Sequence, residues 1–382
     1  CLMIAKLGLD VTLVRQVAQF ASGGDPARLR GLVRLTRVAG PVAGVLVAVA
    51  AFAAASYAGE LAKPPVRLTL LVGAILLPLA VLSELTAAAL RGLRRVPMAV
   101  AGDGLVRPVV AAGLLVGVSL WAPGAMTGAL ALGAYLGGTV ASLALTWTLL
   151  RRMLPAGPSS LTRAEAGTYL SSSLSLMLAT GLLTAMYSLD TVMLGVMADT
   201  TTAGFYSVAS RVAIVVLFVM NGAQMVVAPL LAAAAGSGQA GELRQIVRTL
   251  NGLSLLAAIP AALILIAAAG PILGLFGVEF REAAPALRLL AVAQLLNVLT
   301  GPTGMVLSMT GHERSLVRLL LAGLVLNVVL NVVWIPVYGA AGAALASLLS
   351  HLAWNLMAVV VVRARLGLDI TPFDLLRRAS RA

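Results

Sequence analysis

YSLDTVMLGVMADTTTAGFYSVASRVAIVVLFVMNGAQMVVAPLLA, residues 187–232, decides the class of this protein. A short polar turn, Ala198-Asp199-Thr200, separates two apolar runs, Tyr169–Leu194 and Gly204–Leu231. A helix on the surface of a soluble protein would keep one face polar. Here polar side chains such as Asp190, Arg211, Asn221 and Gln224 stand singly among Leu, Val, Met and Ala. A run of about 20 apolar residues is what a hydrocarbon layer about 30 Å thick demands of a helix. Barrel strands would alternate polar and apolar positions, and these runs do not.

The same reading extends in both directions. Apolar runs are expected at Val38–Ala58, Leu68–Leu90, Met98–Trp121 and Ala125–Leu150 before the quoted stretch. Leu250–Phe276, Ala284–Met309, Leu316–Val337 and Gly339–Val362 follow it, for ten spans in all. Composition agrees: 60% of the 382 residues are hydrophobic, 11% are charged, and the mean hydropathy is +1.01. Soluble domains carry about twice that charge to solvate their surfaces. The class is all-α, a polytopic membrane protein.

The net charge of +13 could suggest a nucleic-acid partner, but the placement of the basic residues excludes it. Arg28, Arg30, Arg34 and Arg37, then Arg91, Arg94 and Arg95, then Arg151 and Arg152 fall on every second loop. Arg244, Arg248, Arg314, Arg318, Arg363 and Arg365 continue the series, whereas the intervening loops hold only Lys63, Arg67 and Arg281. This asymmetry places the Arg-rich loops and the C-terminus in the cytoplasm and the protein in a bacterial inner membrane. The one cysteine, Cys1, leaves no internal disulfide and no cysteine-rich metal site.

An internal repeat is visible. Gly24, Leu29, Arg30, Val33 and Arg34 return as Gly238, Leu243, Arg244, Val247 and Arg248, and Gly128-Ala129 returns as Gly342-Ala343. A period of six helices makes the copies parallel, one of the known plans for transporters. The expected domains are an N-terminal lobe, 1–157, a C-terminal lobe, 158–366, and a basic cytoplasmic tail, 367–382. Six helices per lobe, with the opening CLMIAKLGLD read as the inner part of a helix, imply that one and a half helices lie upstream.

Ionisable residues inside spans are the candidate functional groups. Arg211 could contact a phosphate, which arginine grips bidentately, or could pair with Asp190 across the intervening turn. Arg15 could meet an anion at the membrane surface or be set there by topology alone. Glu84 could serve as a coupling or cavity carboxylate, or pair with the arginines near Arg91. Lys6 with Asp10, and Asp103 with Arg107, are four residues apart and are expected to pair. Ser171, Ser172, Ser173, Asn221, Gln224, Gln294, Asn297, Asn327, Asn331, His351 and Asn355 could line a polar path or bind neighbouring helices. There is no nucleotide-binding loop, metal-ligand cluster or nucleophile–base arrangement, so neither an enzyme nor a cofactor is expected. A membrane glycosyltransferase would need carboxylates in sizeable outer loops, and Glu60, Glu279 and Glu282 sit in short ones.

Three stretches carry a family resemblance: AKLGLDVTLVRQVAQFASGGD (5–25), the quoted 187–232, and LSMTGHERSLVRLLLAGLVLNVVLNVVWIPVYGAAGAALAS (307–347). They resemble the O-antigen-type flippases of the multidrug/oligosaccharidyl-lipid/polysaccharide transporter superfamily. The resemblance implies two six-helix lobes around a central cavity. It also implies transfer of a polyprenyl-pyrophosphate-linked oligosaccharide from the cytoplasmic to the outer leaflet, for lipopolysaccharide or other surface polysaccharide. The partners it implies are that lipid-linked oligosaccharide, membrane lipids, and a polysaccharide polymerase with other assembly proteins. Arg211 and Arg15 stand where resembling flippases carry arginines, so Arg211, Arg15 and Asp190 are the expected pyrophosphate and cavity residues. A cation-coupled drug or metabolite antiporter is the nearest alternative within the superfamily.

Overall fold

The computed structural model of the chain describes residues 2–57, 59, 63–121 and 127–368. Cys1, Glu60, the expected helix start at Ala125 and the basic tail from residue 369 onward lie outside the described residues.

Every regular element among the described residues is helical. After a four-residue helix, Leu2–Ala5, come α1 (Leu9–Gly23), α2 (Pro26–Tyr57), α3 (Pro64–Gly92), α4 (Val96–Trp121), α5 (Gly128–Met153) and α6 (Arg163–Met197). The chain continues through α7 (Thr200–Gly236), α8 (Ala240–Ala267) and α9 (Val278–Thr300), the last two separated by a short helix, Ala269–Gly274. The final helical stretch, Glu313–Leu366, is interrupted at Gly339, where φ is 53°. It is therefore two helices, α10 (313–338) and α11 (340–366). With that division, ten helices among the described residues, α2 to α11, are long and apolar enough to span a bilayer, as the hydropathy runs predict.

Local chemistry sets the helix ends. Pro64 and Pro65 occupy the first turn of α3, where a missing N–H costs nothing. Thr162 and Glu165 form a reciprocal capping box at the start of α6: the Thr162 backbone N–H donates to Glu165 Oε2 at 2.9 Å, and the Glu165 N–H donates to Thr162 Oγ1 at 3.2 Å. Asp199 caps α7, accepting the Thr202 backbone N–H at 2.7 Å. Gly24 and Gly238, partners in the sequence repeat, both take a left-handed φ of 70° just after a helix.

The helices face outward with Val45, Leu46, Val49, Leu114, Leu120, Val329 and Val333, all exposed. Their buried faces are rich in alanine, as at Ala87, Ala88 and Ala89 in α3 and Ala343, Ala344 and Ala346 in α11. Lipid tails are as apolar as leucine, so association in a membrane relies on small residues that let backbones pack closely.

The chain divides into two compact units, Cys1–Met177 and Leu178–Ala382, with the boundary inside α6. In each, a glycine lets two helices approach closely. A Cβ on Gly138 (α5) would lie 2.3 Å from the Arg107 carbonyl oxygen of α4. A Cβ on Gly342 (α11) would lie 2.3 Å from the Trp334 carbonyl oxygen of α10. Both approaches set up the polar clusters described next.

Candidate functional site

Each unit buries a polar cluster built around a carboxylate. In the first, the π-helical turn Ala101–Val106 interrupts α4 and carries Asp103. Such turns re-aim side chains by widening the helix by one residue. Asp103 Oδ1 accepts from the Arg107 guanidinium, from Ser142 Oγ of α5 at 3.0 Å and from Ser83 Oγ of α3 at 3.2 Å. Arg107 is 5% exposed and reaches Glu84 of α3 at 3.1 Å. Lys6 pairs with Asp10 at 2.8 Å and approaches Glu84 at 3.7 Å. Two cations and three carboxylates thus share one network. The expected i,i+4 pairs form, but Glu84 bonds Arg107 and Lys6 rather than the arginines near Arg91.

The second cluster surrounds Asp190 of α6, which is 2% exposed. Asn327 and Asn331, one turn apart on α10, donate to its Oδ1 at 3.0 and 2.7 Å. Tyr206 of α7 donates to Oδ2 at 2.8 Å, and Ser347 of α11 donates to the same oxygen. Each carboxylate oxygen receives two bonds, all from neutral groups, and Asp190 makes no ion pair among the described residues. Around this shell Asn331 donates to Asn327 Oδ1 at 3.1 Å, and Ser350 lies 3.4 Å from the Asn327 amide. The buried Asn331 Oδ1 has no hydrogen-bond partner among the described residues. The Asp190 carboxylate, Asn331 Oδ1 and the hydroxyls of Tyr206, Ser347 and Ser350 form an oxygen-rich set, suited to a hard monovalent cation or a proton. Among the described residues no group of three or more His, Cys, Asp or Glu gathers to hold a metal ion.

The remaining sequence candidates are dispersed. Arg15 of α1 is 4% exposed and donates to Ser172 of α6 at 2.6 Å, beside the Thr12–Ser173 bond at 2.7 Å. Arg211 is exposed on α7, three residues before the tightened 3-10 turn Ile214–Leu217, and makes no ion pair among the described residues. The alternative of an Arg211–Asp190 pair is corrected: Asp190 is satisfied by amides and hydroxyls that lie on three other helices. Asn221 is exposed and Gln224 half-buried further along α7. Asn297 of α9 accepts from Asn355 at 3.2 Å, in a chain that continues through Thr303 at 3.0 Å. Sequence reading missed Ser83, Ser142, Tyr206, Ser347 and Ser350. Hydroxyls are common in apolar helices, and nothing short of their position singles these out. The four-residue spacing of Asn327 and Asn331 was the one available signal for a carboxylate partner.

The comparisons with known proteins fit this architecture. The family described as "Polysaccharide biosynthesis protein" matches residues 1–235, and MatE matches residues 175–333. No curated protein sequence matches. Among solved structures, the fold is similar to the Vibrio cholerae MATE transporter VcmN, with 16% identity and a TM-score of 0.80 over 96% of this chain and 87% of that one. It is similar to a MOP superfamily transporter from Pyrococcus furiosus, described as having a binding pocket of reverse polarity, with 15% identity and a TM-score of 0.80 over 96% of this chain and 85% of that one. The MATE transporter ClbM, solved in complex with Rb+, matches with 13% identity and a TM-score of 0.74 over 95% of this chain and 84% of that one. By family match the chain belongs to the polysaccharide biosynthesis protein family, its residues 175–333 match MatE, and its fold is that of the MATE and MOP transporter structures.

Proposed function

We propose that the protein is a flippase that moves a polyprenyl-pyrophosphate-linked oligosaccharide from the cytoplasmic to the outer leaflet of a bacterial inner membrane, for surface polysaccharide assembly of the O-antigen kind. Membership of the polysaccharide biosynthesis protein family supports the substrate class. The observation that carries the reading is Arg211. It lies eleven residues into α7, about 17 Å along the axis and so near the middle of a span. It is exposed, and among the described residues no acid pairs with it. A charge at that depth is costly unless water or an anion meets it. A pyrophosphate crossing the membrane needs such a cation, and guanidinium bonds phosphate oxygens in pairs. Arg15, buried with Ser172, Ser173 and Thr12, supplies a second cation beside hydroxyls that suit a sugar.

Reconstitution of Arg211→Ala with a polyprenyl-pyrophosphate-linked glycan tests this. Transfer to the opposite leaflet is expected to fall at least tenfold, in line with loss of a charged hydrogen bond of about 1.5–3 kcal/mol. Wild-type transfer by well-inserted mutant protein would remove Arg211 from the path.

The cation-coupled antiporter is a second reading favoured by a specific observation, the Asp190 cluster. A buried carboxylate with neutral partners and a spare amide oxygen is a place for a coupling cation or proton, and a structural relative, ClbM, has been solved with Rb+. Movement of an organic cation driven by a sodium or proton gradient, lost in Asp190→Asn and without glycan movement, would select this reading over the first.

A further inference from the structure

We propose that Arg37, Trp147 and Arg151 form a binding site for the phosphate diester of an anionic phospholipid, in the leaflet that the Arg-rich helix ends face. The Arg37 guanidinium of α2 lies 3.8 Å from the centroid of the Trp147 ring of α5, and that of Arg151 lies 5.7 Å from the same ring. Both arginines are exposed and Trp147 is half-buried.

The depth of this group follows from neighbouring contacts. Arg30 donates to the carbonyls of Pro155 and Pro158, just beyond the end of α5 at Met153. Seven residues further along α2, Arg37 is level with Trp147, which lies six residues before the end of α5. The indole therefore sits about 9 Å inside the helix end. That is the interfacial depth tryptophan prefers and where lipid phosphates lie.

Charge balance points to an anion. Within this unit Arg28 pairs with Asp25 and Glu165, Arg30 with loop carbonyls, and Arg107 with Asp103 and Glu84. Arg37 and Arg151 make no ion pair among the described residues, yet both are gathered on one indole. The ring attracts each cation through its quadrupole but leaves their mutual repulsion in place. A phosphate diester with two free oxygens can bond both guanidiniums, and its glycerol and acyl chains continue along the exposed apolar faces of the helices. Free phosphate shares the first feature and lacks the second.

Binding of dioleoylphosphatidylglycerol to the purified full chain, counted by native mass spectrometry and by thermal stabilisation, tests the site. R37Q/R151Q is expected to weaken it roughly 30-fold, about tenfold or less per arginine near an anionic lipid, and W147L less. Dioleoylphosphatidylcholine binding should not change. R314Q/R318Q, with the same loss of charge elsewhere, should bind phosphatidylglycerol as the wild type does. Unchanged binding by R37Q/R151Q, or an equal loss in R314Q/R318Q, overturns the proposal. So does equal stabilisation by inorganic phosphate, or preference of these residues for a polyprenyl pyrophosphate. If R37Q/R151Q is not monodisperse, R37K/R151K replaces it: the charge stays but the planar fork is lost. A clear loss is then expected, and full binding overturns the site.

Discussion

The two units bury carboxylates in opposite ways. Around Arg107 the first unit assembles ions against ions, with Asp103, Glu84, Asp10 and Lys6 in one network. Around Asp190 the second unit assembles only neutral donors, two amides and two hydroxyls. The first network answers most of its charge from within, two cations against three carboxylates, though the buried Asp103 Oδ2 and Arg107 Nε have no hydrogen-bond partner among the described residues. A carboxylate solvated by dipoles keeps its charge available to a mobile cation or proton. The first arrangement suits a structural lock and the second a site that loads and unloads, although both rest on a close helix approach at a glycine.

The largest effect that could break this contrast is in the first unit. Arg107→Met strands Asp103 and Glu84 without their main cation, and unfolding in denaturing detergent should show a loss of about 3–5 kcal/mol. Adding Asp103→Leu and Glu84→Leu should recover much of that loss, since an absent network costs less than a broken one. If the triple variant is no better than Arg107→Met, the network is not self-compensating. Asp190→Asn comes next. It keeps the shape but sets an amide against four donors, at a cost of about 1–3 kcal/mol. It should also abolish any stabilisation of the wild-type protein by sodium or by protons. Stabilisation that survives in Asp190→Asn would place the ion elsewhere.

Smaller effects test the scaffold. Gly138→Ala and Gly342→Ala each push a methyl into a neighbouring carbonyl and should cost about 1–3 kcal/mol by the same measurement. Gly342→Ala should in addition weaken the response to Asp190 ligands, because it moves α11 and Ser347 relative to α10. The smallest effect belongs to the exposed Asp199 cap, outside both clusters. The Thr202 hydroxyl, and then its backbone N–H, hold the Asp199 carboxyl below its ordinary value. A lowered folded-state value means the cap stabilises above the usual carboxylate range and fades as pH falls through the folded-state value. Asp199→Ala should therefore lower the unfolding midpoint slightly at neutral pH, and the difference should vanish in acid.

The spans were legible because hydropathy is a sum along the chain. Leu68–Leu90, Tyr169–Leu194 and Gly204–Leu231 each fall within a helix of the structure. The i,i+4 pairs Lys6–Asp10 and Asp103–Arg107 were legible for the same reason, since helical spacing alone brings them together. Glu84 was legible as an acid inside a span, but its alternative as a partner of the arginines near Arg91 named the wrong neighbours, because its partners come from α4 and from the segment before α1. Arg211 and Asp190 flank the same turn, and counting from that turn suggested a pair. What counting along one helix cannot supply is the rotation of each helix about its axis.

By itself, then, the order of the residues determined an all-helical membrane protein, its ten spans and the alternation of its basic loops. Those properties depend on how each segment partitions between water and lipid, which no neighbour needs to decide. Only the folded chain decided that Asp190 meets Tyr206, Asn327, Asn331 and Ser347, and that Arg37 and Arg151 share Trp147. Those contacts depend on the π-turn at Asp103, the break at Gly339 and the close approaches at Gly138 and Gly342, where helix rotation and tilt are set by packing between segments distant in sequence.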